Sequence, residues 1–233
     1  MKRSEINIAI ENALRFIEER GFSLPPFVKW TPKDWDAKGA ECDEIRDNML
    51  GWDVTDFGFG RFDEIGLVLI TIRNGNQNNP IYNKKYAEKL IISRENQVCP
   101  MHFHWNKMED IINRGGGVLV MKLYNSNENG GLAETGVSVV CDGVRKTQPA
   151  GVEIELNPGE SVTLTPGLYH SFWAKSGAGP VLIGEVSECN DDNTDNRFYE
   201  NIGRFPAIED DVAPFRLLCN EYPSANQIDS EVQ

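Results

Sequence analysis

Histidine is scarce in this chain, and positive charge is in deficit. The 233 residues contain three histidines, and 23 lysines and arginines stand against 36 aspartates and glutamates, which gives a formal net charge of -13. Binding of nucleic-acid phosphates requires clustered lysine and arginine, and here the basic residues are scattered. The charge balance therefore argues against a nucleic-acid partner and favours a neutral or cationic small molecule.

The chain also lacks paired cysteines and long apolar runs. Its five cysteines are odd in number, widely spaced and free of any CxxC pair, which argues against both a disulfide framework and a zinc knuckle. No stretch approaches the roughly 20 apolar residues that a membrane-spanning helix requires. We therefore expect a cytoplasmic protein with reduced cysteines and no membrane contact.

Helical patterns are confined to the N-terminal part of the chain. Apolar residues recur at helical spacing over residues 6–17, with Ser4 as the expected N-cap and Gly21 as the stop. The dipeptide Thr31-Pro32 predicts the start of a second, short helix, because a hydroxyl caps a helix and proline suits its first position. We assign residues 1–60 to a helical segment that packs on the rest of the chain.

Beyond residue 65, short strand-like runs alternate with clusters of glycine, asparagine and proline. Such runs occupy residues 66–72, 89–92, 118–123 and 137–141. We expect eight or more strands, and the lack of long helical patterns favours an antiparallel sandwich or closed barrel over βαβ units. Residues 61–233 are predicted to form a β barrel with a C-terminal extension, in one structural domain with the helical segment.

A pair of histidines is the first sign of chemistry. His102 and His104 lie two apart, so a strand would project both imidazoles to the same side. An isolated HxH pair is more often two surface residues, since short matches are common. Here Glu109 and Gly116 follow at the spacing HxHx4Ex6G, and a turn-bracketed His170 comes later. The combination predicts one divalent metal held by the three histidines and the glutamate.

These blocks resemble the two cupin motifs. The sequences HFHWNKMED at residues 102–110 and NDDNTDNRF at residues 190–198 further resemble the D-lyxose isomerase family. The second motif departs from the usual cupin pattern, because Thr165 occupies the expected proline position and Ala174 stands where asparagine is common. The spacing from Gly167 to His170 is preserved, so the departure concerns only the detail of the turn.

The resemblance implies a mainly β fold, a cupin jelly-roll barrel with N-terminal helices, in a homodimer. It also implies that His102, His104, Glu109 and His170 bind manganese. The implied reaction interconverts D-lyxose with D-xylulose, and D-mannose with D-fructose, through a metal-stabilised enediol.

The number of histidines limits which residues could serve as the acid or base of such a reaction. If every imidazole binds metal, the proton between C2 and C1 must be moved by Glu, Asp, Lys or Tyr. Lys107 lies between the ligands, and Glu185 follows His170 in a strand-like run, so one of the two is expected to act. Each also has an ordinary interpretation, Lys107 as a solvated turn residue and Glu185 as a surface charge.

Three further residues are weaker candidates for binding the sugar. Lys89 precedes the histidine pair on a predicted strand, and Asp195 and Arg197 belong to the polar segment after the strand that carries Glu185. Loops rich in Asn and Asp often satisfy their own turns instead.

Two other functions share these ligands. A non-haem iron cupin dioxygenase can use the same set of three histidines and one glutamate. A non-catalytic sugar-binding cupin would need no acid or base in its pocket.

Overall fold

The computed structural model describes residues 1–225, so the last eight residues of the predicted C-terminal extension lie outside the described part. The chain begins with helices: α1 (Arg3–Glu19), α2 (Pro32–Trp35) and α3 (Asp43–Asp47), with short 3-10 turns at Pro26–Lys29 and Ala40–Cys42. None of the described helices is long and apolar enough to cross a membrane.

The start of α1 differs from the prediction. Lys2, not Ser4, is the N-cap, and its backbone N–H donates to the Glu5 carboxylate at 2.8 Å. The Ser4 hydroxyl donates instead to Asp211 at 2.6 Å, because the N-terminus pairs with the C-terminal segment. The predicted stop is confirmed, since Gly21 follows the C-cap with a φ of 69° that suits glycine.

The predicted start of α2 is also confirmed. The Thr31 hydroxyl accepts from the Asp34 backbone N–H at 3.2 Å, and the Asp34 carboxylate accepts from the Thr31 N–H at 2.8 Å. This reciprocal cap satisfies two donors that the first turn would otherwise leave unpaired.

The described chain then forms fourteen strands. They are β1 (Gly51–Thr55), β2 (Leu67–Arg73), β3 (Tyr86–Ser93), β4 (Cys99–His104), β5 (Glu109–Gly116), β6 (Leu119–Ser126), β7 (Leu132–Ala133), β8 (Val137–Cys141), β9 (Val144–Gln148), β10 (Glu153–Leu156), β11 (Ser161–Leu164), β12 (Leu168–Ala174), β13 (Val181–Glu188) and β14 (Asn196–Phe198). Strand β1 lies inside the segment assigned to the N-terminal helices.

The strands form two antiparallel sheets. The eight-stranded sheet has the order β1-β2-β3-β13-β5-β11-β8-β9, and the other sheet has the order β10-β6-β12-β4-β14, with β7 paired to β6. This arrangement confirms the predicted mainly β, jelly-roll class. The four runs named from the sequence correspond to β2, β3, β6 and β8.

Two apolar layers hold the fold together. Alternate residues of β2 face opposite sides: Leu67 and Leu69 join the core between the sheets, while Val68 and Ile70 join a second core under α1. Helix α1 covers the outer face of the large sheet with an apolar stripe centred on fully buried Ile10. Because both faces of β2 are covered, its sequence is a continuous apolar run and does not alternate.

All five cysteines are buried and none is bonded to another. This agrees with the expectation of reduced thiols.

Candidate metal centre

Three imidazoles meet inside the barrel. His102 and His104 project from β4 into the interior, and the register of β4 with β12 sets His170 opposite His102. The ring centroids of His102 and His170 are 4.1 Å apart, and those of His104 and His170 are 5.5 Å apart. One nitrogen from each ring lies within 4.8 Å of the other two. These three histidines, all within the described residues, form a group that can hold a metal ion.

Backbone carbonyls orient two of the rings. His102 Nδ1 lies 2.7 Å from the Pro100 carbonyl oxygen, and His170 Nδ1 lies 3.0 Å from that of Leu168. A carbonyl only accepts, so each Nδ1 carries the proton and each Nε2 keeps its lone pair. Burial lowers the pKa of His102 well below its ordinary value and that of His170 to about 4. Both rings are therefore neutral, the form that binds a metal.

Glu109 completes the group from across the barrel. Its Oε1 lies 3.4 Å from His104 Nε2 and 3.2 Å from His170 Nε2. The glutamate opens β5, which belongs to the sheet that faces β4 and is not its hydrogen-bonded neighbour. Burial alone would raise the pKa of Glu109, yet the nearby ammonium of Lys107 holds it well below its usual range. A buried carboxylate beside three imidazole nitrogens fits a divalent cation.

A buried ion pair adjoins the three histidines and Glu109. Lys107 Nζ lies 2.7 Å from Glu185 Oε1 and 2.8 Å from Glu109 Oε2, and all three residues are less than 5% exposed. Burial would lower the pKa of Lys107, but the two carboxylates raise it above its ordinary value. Lys107 therefore remains protonated at neutral pH.

Lys89 joins the same charged cluster. It faces Glu185 across the β3–β13 register, with Nζ 3.6 Å from Glu185 Oε1. Its Nζ donates to Asn190 Oδ1 at 2.6 Å and lies 3.8 Å from Asp192 Oδ1. Lys89, Glu185 and Glu109 thus stand on three adjacent strands of the large sheet, while the histidines come from the smaller sheet.

Asp195 holds the turn that follows the histidine pair. Its carboxylate accepts from the backbone N–H groups of Asn106 at 2.8 Å and Lys107 at 3.2 Å. Its Oδ2 also lies 4.0 Å from His104 Nδ1, which has no hydrogen-bond partner among the described residues. Asp195 therefore positions Lys107, and it lies on the side of the His104 ring opposite Glu109.

The structure does not bring Arg197 to the cavity. In β14 the register sets Asn196 opposite His104 and Phe198 opposite His102, so the residue between them points the other way. Arg197 is exposed accordingly.

Other polar residues reach the cavity without having been predicted. Arg204 and Asp192 line the same space as the histidines, and Arg204 Nη2 lies 2.5 Å from Asp53 Oδ2 on β1. The one local signal is a charged residue, Asp53, inside an otherwise uncharged strand. This partly open cavity has a volume of about 40 Å³, room for a few water molecules.

Sequence relatives agree on one family. The D-lyxose isomerase family model matches residues 1–222. A D-lyxose/D-mannose isomerase of Serratia proteamaculans is 49% identical over 223 residues, which cover 95% of this chain and 98% of that protein. The protein of the same name in Escherichia coli O157:H7 is 48% identical, with the same coverage.

Solved structures agree on the fold. An L-ribose isomerase of Geodermatophilus obscurus superposes with a TM-score of 0.59 at 16% identity, covering 90% of this chain and 98% of that chain. The L-ribose isomerase of Cellulomonas parahominis solved with L-ribose gives 0.58 at 15% identity, with the same coverage. By sequence, the chain belongs to the D-lyxose isomerase family and is a sugar isomerase.

Proposed function

We propose that this protein interconverts D-lyxose and D-xylulose, and also D-mannose and D-fructose, with one divalent cation held by His102, His104, Glu109 and His170. Manganese is the proposed metal, as the family resemblance implies. The observation that carries the proposal is the convergence of three buried imidazole nitrogens and one carboxylate beside a second, buried carboxylate.

The charges of the ligands suit this chemistry. Three neutral imidazoles and one carboxylate leave a divalent cation with one net positive charge. When bound, such a cation supplies Lewis-acid polarisation of the sugar oxygens, which acidifies the proton on C2.

Glu185 is the proposed base. Its partner Lys107 keeps its proton at neutral pH, and a protonated ammonium cannot take the proton from C2. Glu185 removes that proton to give the enediol and returns it to C1. Lys107 fixes the carboxylate at 2.7 Å, and its ammonium donates to O1 and recovers a proton from O2.

Of the three predicted sugar contacts, Lys89 is retained. It is 3% exposed and lies beside Glu185, within the cavity. Asp195 acts instead through the turn that carries Lys107, and Arg197 points away from the cavity. The homodimer and the cytoplasmic location stay predictions from the sequence.

The two rival functions are less well supported. A dioxygenase has no need of a carboxylate base, and a binding protein has no need of the buried pair of Lys107 and Glu185. Membership of a sugar isomerase family also favours proton transfer over oxygen chemistry.

Metal removal and oxygen exclusion test the proposal together. Chelated protein is expected to lose at least about 100-fold in kcat/KM for D-lyxose, since metal catalysis contributes several kcal/mol. Reloading with Mn²⁺ under anaerobic conditions should restore D-xylulose formation, measured by chromatography with an oxygen electrode in parallel. D-xylose, the C2 epimer, is the matched control and should react far more slowly, because a fixed carboxylate faces one side of C2. Turnover that stops without oxygen would contradict the isomerase assignment.

A further inference from the structure

Arg204 lines the cavity with part of its hydrogen-bonding capacity unused. Its side chain is 11% exposed, and Nη2 lies 2.5 Å from Asp53 Oδ2 and 3.5 Å from Asp192 Oδ2. Nη1 is buried and has no hydrogen-bond partner among residues 1–225. A buried donor without a partner is costly, so such groups call for an explanation.

A purely structural ion pair does not account for this arrangement. A single cationic nitrogen of Arg204 lies near both Asp53 and Asp192, and a lysine could supply that one nitrogen. Arginine instead presents five N–H donors in a rigid planar fork, which can hold a carboxylate with one nitrogen and a second oxygen with the other. The unused nitrogen belongs to a residue that lines the cavity of the three histidines.

The two lysines at the cavity differ from Arg204 Nη1, because each of their ammonium groups has a protein partner. Lys107 Nζ is shared between two carboxylates, and Lys89 Nζ donates to Asn190 at 2.6 Å. The His102 and His170 rings present lone pairs and not protons to the interior. Nη1 of Arg204 is thus a cavity donor that no described protein group occupies, available to a neutral polyol, whose hydroxyl and carbonyl oxygens accept hydrogen bonds.

We propose that Arg204 is a substrate-binding residue, which donates from Nη1 to an oxygen of the open-chain sugar while Asp53 and Asp192 balance its charge. The inference rests on the proposed function, since it takes the sugar to lie in the metal cavity. The proposed contact comes from the segment after β14, whereas the sequence had suggested Arg197, which lies on β14.

Two variants test the contact in the full-length, manganese-loaded protein. Arg204→Lys keeps a cation beside Asp53 and Asp192 but removes the second nitrogen, and Arg204→Met removes both. In each, we expect the KM for D-lyxose and the Kd of D-arabinitol, its unreactive reduced form, to rise about 10- to 100-fold, the effect of losing a charged hydrogen bond. The kcat should stay within about threefold, and Arg61→Met, in an exposed ion pair with Glu64, serves as control.

A folded Arg204→Lys variant with unchanged KM and Kd would overturn the inference, and so would a loss confined to kcat. Thermal midpoints and metal content separate a folding defect from a binding defect, and calorimetric titration with D-arabinitol gives Kd without turnover. If the wild-type protein binds D-arabinitol but does not isomerise D-lyxose, the proposed function is wrong. The Arg204 contact is then still tested by the effect of the two variants on the Kd of D-arabinitol.

Discussion

Replacement of His170 by asparagine is expected to release the metal and to lower kcat/KM for D-lyxose by about 10³-fold or more. The reason is geometric. His170 Nε2 lies 3.2 Å from Glu109 Oε1, and its ring stands opposite His102 across the β4–β12 register. Asparagine is too short to carry a nitrogen to the same place, so β12 would no longer contribute a ligand.

The neighbouring Ser171→Ala variant provides the matched control. Ser171 lies on the same strand and is 5% exposed, but its hydroxyl donates to the Cys99 carbonyl oxygen at 2.7 Å. Its removal should cost about 1 kcal/mol of unfolding free energy and leave the metal in place. Metal content per chain, measured by mass spectrometry, separates the two variants. A full complement of metal in His170→Asn would contradict the four-ligand site.

Replacement of Glu185 by glutamine is expected to lower kcat by about 10²- to 10⁴-fold with metal content near one per chain. Glutamine has the shape of glutamate but cannot take the C2 proton. The side chain is buried beside Lys107 Nζ at 2.7 Å, so the amide can still fill the same space. The KM should change less than kcat, because the loss falls on proton transfer.

Glu155→Gln is the control for this substitution. Glu155 also pairs with a lysine at 2.7 Å, Lys175, but about half of each side chain is exposed and neither lines the cavity. An exposed pair contributes little, so activity should be that of the wild type. Normal turnover in Glu185→Gln would remove this carboxylate from the mechanism and leave the base unassigned.

The grouping of the three histidines could be predicted from the sequence, because it depends on local strand geometry. Strand alternation alone sets His102 and His104 on one side, and a turn before His170 returns it to a neighbouring strand. Which sheet receives Glu109 was not predictable, since spacing along the chain does not say whether the next strand pairs with β4 or crosses to the facing sheet. The structure shows that it crosses.

The charged cluster beyond the ligands could not have been assembled from sequence. Arg204 Nη2 lies 2.5 Å from Asp53 Oδ2 although the two residues are far apart in the chain, and no local periodicity relates them. Arg197 was predicted as a sugar contact from the polar segment that contains it, and no local pattern indicated Arg204. The three-residue strand β14 turns Arg197 outward, and only its pairing with β4 reveals this.

The prediction of where α1 begins was wrong for a related reason. Ser4 is a good N-cap by type, but the segment around Glu209 pairs with Lys2 and lets the helix begin earlier. Side chains such as Ser4 are then free to contact the C-terminal segment. Local propensity predicts that a helix forms, while long-range pairing decides where it begins.

The central claim is that one cation is bound jointly by both sheets. Crystals of the manganese-loaded protein, measured for anomalous scattering near the manganese absorption edge, test it most directly. The expected result is a single peak within bonding distance of Nε2 of His102, His104 and His170 and of Glu109 Oε1. Active crystals without a peak there, or with a peak that His170 does not touch, would contradict it.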